Sequence, residues 1–465
     1  MTKRAVVVGG GLAGLAAAIR LAEQGWTPIV LETRKRLGGR ATSFVDPKSG
    51  ATLDNCQHVL LGCCTNLIDF YRRIEVESLI EWHETLYWTR GGGTIDLLRA
   101  NWMPAPLHLS SAFNRLSLFD RRQRREIARG MWAMIRLGTA THEASSTTFA
   151  DLLREWGQSD AVIRDFWNTV IVSACNLDVW QVSARYALQV FQEGFLANRD
   201  AYVMGLSTVP LERLYDPAAR SIEQAGGEIR TGVSVSGLVF DGSTMTGVET
   251  REGVVDADAV VVAVPPDRLH TLTTDDMRRA DARLDGIEKV TCSPILGVHV
   301  QYEQAVMPEP HLVLVDMGTH WLFNRGVAAD GSQWIHAVIS AADAWMELDE
   351  ATIIDRVADD IRNAYPAIGD ARPTAGRAIK EKRATFAPVP GVDAFRPDVA
   401  PMSGAGISNL YIAGDWTNTG WPATMEGAVR SGYAAAAACS AHGGIVDDIP
   451  SAWLARRLGL KPARV

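Results

Sequence analysis

The stretch AVVVGGGLAGLAAAIRLAEQGWTPIVLE, residues 5–32, decides the fold of this chain. Short apolar runs flank a glycine-rich segment and a stretch with helical spacing. The order predicts a strand over 5–8, a helix over 12–24 and a second strand over 28–31. A β-α-β unit of this kind places its two strands side by side in a parallel sheet.

The glycines of this unit follow the spacing Gly9-x-Gly11-x-x-Gly14. Gly9 permits the tight turn after the strand, and Gly11 lets a pyrophosphate approach the backbone. Gly14 lets the helix pack closely on the strand. With flanking strands and a helix in place, the spacing predicts a dinucleotide-binding site.

Two further features agree with a dinucleotide. Leu12 and Ala13 open the predicted helix, whose positive N-terminus attracts a diphosphate. Glu32 ends the second strand, where a carboxylate can accept hydrogen bonds from both ribose hydroxyls. An acid at that position favours a ribose that carries no phosphate.

The composition limits the classes of protein. The chain has 465 residues, 47% of them hydrophobic, which is enough for two large cores. A net charge of −8 without a basic patch among exposed aromatics argues against nucleic acid as a partner. Six scattered cysteines form no disulfide framework, so we expect a reducing, cytoplasmic setting. No apolar run reaches about 18 residues, so no membrane-spanning helix is predicted.

The sequence continues as ETRKRLGGRATSF, residues 32–44. Here it resembles the superfamily of flavin-dependent amine oxidases and carotenoid desaturases. The resemblance implies that Arg34 and Arg40 contact FAD. It also implies that Gly38 and Gly39 allow a close approach near the phosphates and the flavin ring.

The stretch NLYIAGDWTNTGWPATMEGAVRSGYAAAAA, residues 409–438, resembles the second flavin motif of the same superfamily. The resemblance places Gly414 in a turn and Asp415 at the ribityl and phosphate region. Thr424 and Met425 would present backbone amides to the N1–C2=O edge of the flavin. A helix N-terminus there stabilises an anionic reduced ring.

Two blocks in the middle of the chain match as well. In GGEIRTGVSVSGL, residues 226–238, the resemblance places Val235 beside the adenine. The segment DADAVVVAVPP, residues 256–266, would be the strand that returns to the nucleotide domain. Four blocks in the same order make the resemblance much more specific than any one block.

The predicted fold is α/β, with a Rossmann-type FAD-binding domain on a parallel sheet and a discontinuous substrate domain of mixed sheet and helices, similar to amine oxidases and phytoene desaturases. The FAD-binding domain would comprise 1–85, 205–265 and 395–445, the substrate domain 86–204 and 266–394, and a C-terminal tail 446–465. Within the substrate domain the pattern predicts strands at 295–302, 311–318 and 334–341 and an amphipathic helix over 344–364.

The stretch LDNCQHVLLGCC, residues 53–64, concentrates three cysteines and a histidine. It has no CxxC pair, and adjacent cysteines on a strand would point to opposite faces, so no metal site is predicted. The form Asp-Asn-x-Gln-His instead resembles hydroxysqualene dehydroxylases, as do the chain length and residues 172–196. Cys56 stands where that family often has glycine.

The resemblance implies reduction of hydroxysqualene to squalene with loss of water, so the substrate is an apolar polyisoprenoid and squalene-forming enzymes are functional neighbours. Reduced flavin would supply the hydride. His58 is the candidate proton donor, with Asp54 orienting or sharing the proton and Gln57 beside them. Trp421 is a candidate for stabilising an allylic cation. A structural role for His58, bonded to backbone, is the alternative.

Other functions remain open. A carotenoid or phytoene desaturase would use the same flavin with hydride moving the other way. A flavin amine oxidase is disfavoured, because Thr424 cannot form an aromatic cage. A protein that holds FAD only as a structural element is a third alternative. One strand-flanked GxGxxG motif leaves no visible nicotinamide site, so the sequence does not identify the electron donor.

Residues 115–136 hold seven arginines against two acids, a local surplus of 7 − 2 = +5, with apolar residues among them. One interpretation is an interfacial helix on anionic lipid, which would make the protein peripheral on the inner face of the cytoplasmic membrane. The other is a helix with a solvated basic face and an apolar face on the core. The basic C-terminal stretch from 451 also allows two interpretations, a segment that contacts lipid or a frayed tail.

Overall fold

The computed structural model describes residues 2–138, 142–402 and 405–460. The strands of this part of the chain are β1 (Arg4–Val8), β2 (Thr27–Glu32), β3 (Ser43–Val45), β4 (Thr52–Asp54), β5 (Val59–Leu61), β6 (Ile80–His83), β7 (Thr85–Thr89), β8 (Asp96–Arg99), β9 (Met204–Ser207), β10 (Glu228–Thr231), β11 (Val235–Phe240), β12 (Met245–Thr250), β13 (Gly253–Asp256), β14 (Ala259–Val262), β15 (Cys292–Tyr302), β16 (His311–Leu314), β17 (Trp321–Val327), β18 (Gln333–Ser340), β19 (Ala375–Phe386) and β20 (Leu410–Ile412). The helices are α1 (Leu12–Glu23), α2 (Thr65–Arg73), α3 (Ser110–Phe113), α4 (Arg121–Leu137), α5 (Phe149–Glu155), α6 (Asp160–Val162), α7 (Thr169–Cys175), α8 (Ala184–Phe191), α9 (Glu212–Gln224), α10 (Pro266–Leu272), α11 (Asp275–Ala280), α12 (Glu350–Ala364), α13 (Met425–Ser440) and α14 (Trp453–Arg457).

A parallel sheet of five strands in the order β10-β2-β1-β14-β20 forms one half of the molecule. Val6 pairs with Val260 on one side of β1 and with Ile29 on the other. The central strands are apolar almost throughout, because helices and loops cover both faces of a parallel sheet. The sheet confirms the predicted α/β fold.

Helices α1 and α13 pack against each other very closely, because small residues line their contact. A Cβ atom on Gly432 of α13 would lie 2.2 Å from the carbonyl oxygen of Ala13 in α1. Only glycine allows this approach. Two elements from opposite ends of the chain are thereby fixed side by side.

The other half is built on a seven-stranded sheet in the order β19-β15-β18-β17-β16-β7-β8. Its pairings are antiparallel except for that of β16 with β7, so the sheet is mixed, as predicted. Helix α12 covers one face with Ile353, Val357 and Ile361. The opposite face, which carries Phe323 and Val338, faces a cavity described below.

All five parallel strands fall within 1–85, 205–265 and 395–445. A small sheet in the order β5-β9-β6 also joins the first two of these segments. Where the border between the FAD-binding and substrate domains runs stays a prediction.

Three elements differ by four residues or more from a predicted limit. The helix predicted over 344–364 begins only at Glu350, because the side chain of Asp349 accepts a hydrogen bond from the backbone N–H of Thr352 and so caps it. The strand predicted over 311–318 ends at Leu314. The basic helix begins at Arg121 rather than 115, because a capping box closes its N-terminus.

Most apolar residues of the basic segment are packed inside the protein, and Trp132 is the exposed exception. Leu116, Phe119, Ile127 and Met134 all belong to the largest core cluster. The apolar face of this helix therefore lies on the core, and contact of the basic segment with a membrane stays a prediction. No helix among the described residues is long and apolar enough to span a bilayer.

The C-terminal stretch is folded as far as residue 460. Helix α14 lies within it, and Ala455 and Leu460 are buried in the same core as the basic helix. The interpretation as a frayed tail is wrong for this part, because apolar side chains anchor it. Residues 461–465 of that prediction lie outside the described residues.

Candidate active site

A cavity of about 770 Å³ runs between the two halves of the molecule. It brings together 14 of the 15 residues predicted to bind the cofactor. Its walls include Gly9, Gly11, Leu12, Ala13, Glu32, Arg34, Gly38, Gly39, Arg40, Val235, Gly414, Asp415, Thr424 and Met425. Gly14 is the exception.

The glycines of the first turn have separate tasks. A Cβ on Gly14 would lie 1.9 Å from the carbonyl oxygen of Gly9, so Gly14 is required for packing beneath the turn. A Cβ on Gly11 would have the Cα of Gly39 as its nearest neighbour outside the adjoining residues, at 3.7 Å. Gly11 is thus open to the cavity at the N-terminus of α1, where an incoming diphosphate would meet free backbone N–H groups. The arrangement fits a dinucleotide.

Glu32 is held in position by backbone N–H groups. Its two carboxylate oxygens accept hydrogen bonds from the N–H of Gly10 and of Arg34, each at 2.7 Å. A carboxylate has about four acceptor sites, so two such bonds leave capacity for the hydroxyls of a ribose. The side chain is 8% exposed and lies on the cavity wall.

The two flavin motifs meet through a salt bridge. Arg40 binds Asp415 through Nη2 and donates through Nη1 to the carbonyl oxygen of Ala384 at 2.7 Å. Thr424 caps α13, because its hydroxyl accepts a hydrogen bond from the N–H of Gly427 at 3.0 Å. The N-terminus of α13 therefore borders the cavity beside that of α1.

The far end of the cavity is apolar and rich in aromatic rings. Its walls there include Leu86, Trp88, Val170, Phe195, Trp321 and Phe323. The rings of Trp321 and Phe323 are stacked, with centroids 5.6 Å apart. The indole N–H of Trp321 is satisfied by the hydroxyl of Ser173 at 2.7 Å. This end can accommodate a hydrocarbon and stabilise positive charge next to π faces.

Asp54 has a structural place rather than one on the cavity wall. One carboxylate oxygen accepts from the hydroxyl of Ser43 at 2.6 Å and from the N–H of Leu211 at 3.0 Å. The other pairs with Arg325 at 3.1 Å, and the residue is 3% exposed. Arg325 also donates to Gln57, which does line the cavity.

His58 lies on the cavity wall, where the charge of Asp54 acts on it without a hydrogen bond between the two side chains. Its Nδ1 is 3.0 Å from the carbonyl oxygen of Cys56, so Nδ1 carries the hydrogen. Burial lowers the pKa of His58, so the ring is neutral near pH 7 and Nε2 is an acceptor. No hydrogen bond between the side chains of Asp54 and His58 exists in the described part of the chain.

The cysteines of this region behave as small hydrophobic residues. Cys56, Cys63 and Cys64 are free, buried and on the cavity wall. Burial raises the pKa of Cys56 to about 12, which suppresses the reactive thiolate. Among the residues described here, no group of three or more His, Cys, Asp or Glu could hold a metal ion.

Several ionisable residues on the cavity wall were not predicted from the sequence, among them Glu193. Glu193 lines the cavity between α8 and the start of the next loop. Burial raises its pKa to about 7. The only signal in the sequence is a single acid within the otherwise uncharged run 186–198.

Comparison with known proteins agrees with a flavin-binding site. Residues 12–440 match the family described as flavin containing amine oxidoreductase. The chain is 30% identical over 469 residues to a hydroxysqualene dehydroxylase of Rhodopseudomonas palustris, covering 94% of this chain and 98% of that one. It is 24% identical over 472 residues to a 15-cis-phytoene desaturase of Synechococcus elongatus, covering 94% and 96%. Cyclohexylamine oxidase from Brevibacterium oxydans has a similar structure, with a TM-score of 0.70 at 18% identity over 95% of this chain and 99% of that one, which shows a common fold.

Proposed function

This chain belongs to the family of flavin containing amine oxidoreductases and its cofactor is FAD, and from that premise we propose that it reduces hydroxysqualene to squalene with loss of water. One observation carries the proposal: a single cavity runs from the dinucleotide site around Gly11, Glu32 and Asp415, called the cradle below, to an apolar end lined by aromatic rings. A polyisoprenoid is the class of substrate that such an end would take.

FAD, when reduced, supplies a hydride for this reaction. The chain itself must bind the hydrocarbon, exclude water and assist departure of the hydroxyl group. Trp321 and Phe323 provide stacked π faces against which an allylic cation would be stabilised. His58 offers Nε2 as a hydrogen-bond acceptor, and Arg325 holds Gln57 in place on the wall.

The relatives also support a second candidate, a polyene desaturase, because 15-cis-phytoene desaturase matches over almost the whole chain. That reaction removes hydride from a hydrocarbon and needs no departure of a hydroxyl group. Oxidation of an amine has less support. Thr424 is occupied as a helix cap and supplies no ring to enclose an ammonium group.

An anaerobic single turnover separates these functions. The flavin is photoreduced, mixed with hydroxysqualene, and followed by absorbance while products are extracted. We expect the oxidised flavin spectrum to return with one squalene formed per flavin. Squalene itself is the matched control and should leave the flavin reduced. Bleaching of the oxidised protein by phytoene, with no reaction of the reduced protein, would show a desaturase instead.

We also propose that the basic face of α4 contacts an anionic membrane. This face consists of the exposed residues Arg121, Arg122, Arg125, Arg129 and Arg136. Trp132 stands beside it, 42% exposed and 5.9 Å from the guanidinium of Arg136. Because the apolar face of α4 is buried in the core, the contact would be electrostatic and sensitive to salt.

Sedimentation with vesicles that contain anionic lipid tests this contact. The variant replaces Arg121, Arg122, Arg125 and Arg129 by glutamine. Arg124 is left in place, because it donates to the carbonyl oxygen of Asn114. The control removes the same charge elsewhere, at the exposed residues Arg213, Arg220, Arg251 and Arg356. Binding should fall at least tenfold in the first variant only, since each arginine contributes about 1 kcal/mol. Equal sedimentation of both variants would show a merely solvated face.

A further inference from the structure

Glu193 occupies an unusual backbone position on the cavity wall. It lies in a π-helical turn, Gln192–Leu196, that continues α8. Such turns insert an extra residue into a helix and are frequent at functional sites. The next residue, Gly194, packs against β5, where a Cβ on Gly194 would lie 3.8 Å from Leu61. The carboxyl group is thus carried on the wall beside the strand that follows His58.

The Glu193 carboxyl group has little to stabilise its charged form. Its hydrogen bond from the Gln189 side chain is long, at 3.4 Å. No arginine or lysine of the described residues forms an ion pair with it. Cys63 is nearby but neutral, because its hydrogen bond with Cys64 and burial raise its pKa. An unpaired carboxylate in such a place is costly, and burial raises the pKa of Glu193 to about 7.

The guanidinium that acts on Glu193, that of Arg430, is engaged by two other carboxylates. Arg430 pairs with Glu426 through Nε at 2.6 Å and with Asp448 through Nη2. The backbone N–H of Leu67 also donates to Glu426, at 2.8 Å, while burial raises the pKa of Glu426. Two carboxylates therefore share this guanidinium. Burial is the main cause of the raised pKa of Glu193; the charges of Asp448 and Glu426 add to it, and the charge of Arg430 opposes it.

We propose that Glu193 is the proton donor of dehydroxylation, delivering its carboxyl proton to the hydroxyl oxygen of the substrate. This inference rests on the proposed function. The O–H bond of the carboxyl breaks, and the C–O bond of the substrate breaks with its electron pair leaving on water. One hydride, with two electrons from reduced FAD, replaces the lost hydroxide, so the carbon is reduced and the cofactor oxidised. Solvent then reprotonates the carboxylate.

His58 is less suited to this step than Glu193. The Nδ1 hydrogen of His58 is already donated to the carbonyl oxygen of Cys56. Proton donation from Nε2 would require the imidazolium form, which burial disfavours. A protonated carboxyl group is neutral, so it tolerates an apolar environment and can donate its proton when a substrate hydroxyl binds next to it.

Two substrates distinguish a proton donor from a structural residue. Glu193→Gln keeps the shape and polarity of the side chain but has no acidic proton. With the alcohol, the single-turnover rate should fall by about 100-fold or more. With the acetate ester of the same alcohol, which leaves as a carboxylate without protonation, the variant should match the wild type. Glu193→Asp, which keeps a proton, should recover part of the rate with the alcohol.

Equal slowing with alcohol and ester, or no slowing with either, would overturn the donor role while leaving the proposed function intact. A wild-type protein that fails with both substrates but oxidises phytoene would overturn the proposed function and the donor role together. Infrared spectroscopy gives a readout without turnover. The wild type should show a carboxylic acid C=O band that is absent from Glu193→Gln and disappears as the pH rises through about 7. Absence of that band would contradict the proposal even if the variant failed to retain FAD.

Discussion

The two ends of the cavity are lined by different kinds of chemical group. At the cradle end, backbone N–H groups, two helix N-termini and the Arg40–Asp415 salt bridge face the space for FAD. At the far end, aromatic rings surround the space. Glu193, an unpaired carboxyl, lies on the wall within electrostatic reach of Glu426 and Arg430 of α13. Charge is therefore compensated where a charged cofactor must be bound. It is left uncompensated where a proton is to be released, and each end can be tested separately.

The largest effect is expected at the cradle. Gly11→Val should abolish retention of FAD, because the added carbons enter the space that the backbone leaves for the diphosphate. Flavin content per protein after gel filtration measures this. Gly444→Val is the matched control, since nothing lies within 4 Å of a Cβ there. Normal flavin content in Gly11→Val would contradict the interpretation of this turn as the dinucleotide site.

Asp54→Asn tests whether the DNCQH motif acts through structure or chemistry. Asp54 is buried and Arg325 is 24% exposed, so removal of the carboxylate charge weakens a half-buried pair and unfolding in urea should show a loss of about 2 kcal/mol. FAD should remain bound in the folded variant. A double-mutant cycle with Arg325→Gln then isolates the pair. Full stability together with lost turnover would instead place Asp54 among the catalytic residues.

The difference between the ends also explains what could be predicted from sequence. The first turn of the cradle is formed by residues close together in the chain, Gly9, Gly11 and Gly14, so their spacing alone predicts it. The Arg40–Asp415 salt bridge joins residues 375 apart, and only the resemblance to a family brought them together. The partner of Asp54, Arg325, is 271 residues away and was not predicted.

Glu193 was missed for a related reason. Its protonation depends on which groups surround it in three dimensions, and the charged groups that act on it, Glu426, Arg430 and Asp448, come from the far end of the chain. No local pattern encodes that arrangement. The predicted start of the basic helix was wrong for another reason. Residues 115–120 have a composition compatible with a helix, but Asp120 caps the N-terminus, so the helix begins only at Arg121.

The unpaired state of Glu193 should be visible in the pH dependence of stability. Its pKa rises from 4.5 to about 7 on folding, so the ionised residue weakens the folded protein as the pH rises through that interval. Glu193→Gln removes this penalty. Relative to the wild type, its free energy of unfolding should increase by roughly 2 kcal/mol between about pH 5 and pH 8. Glu155→Gln, at an exposed position of α5, should show no such trend, and identical curves for both variants would mean that Glu193 is compensated.

The smallest effect is expected for His58→Ala. The ring is neutral, its Nδ1 hydrogen is bonded to backbone and Nε2 can only accept, so its loss removes one hydrogen bond to substrate rather than the proton source. FAD should stay bound, and the single-turnover rate with hydroxysqualene should fall about tenfold, which corresponds to about 1.4 kcal/mol. The comparison with Glu193→Gln decides between the two residues. Suppose that the single-turnover rate of His58→Ala falls 100-fold or more with the alcohol and matches the wild type with its acetate ester. The proton would then come from His58, and the proton donor in the comparison of the two ends would be that histidine.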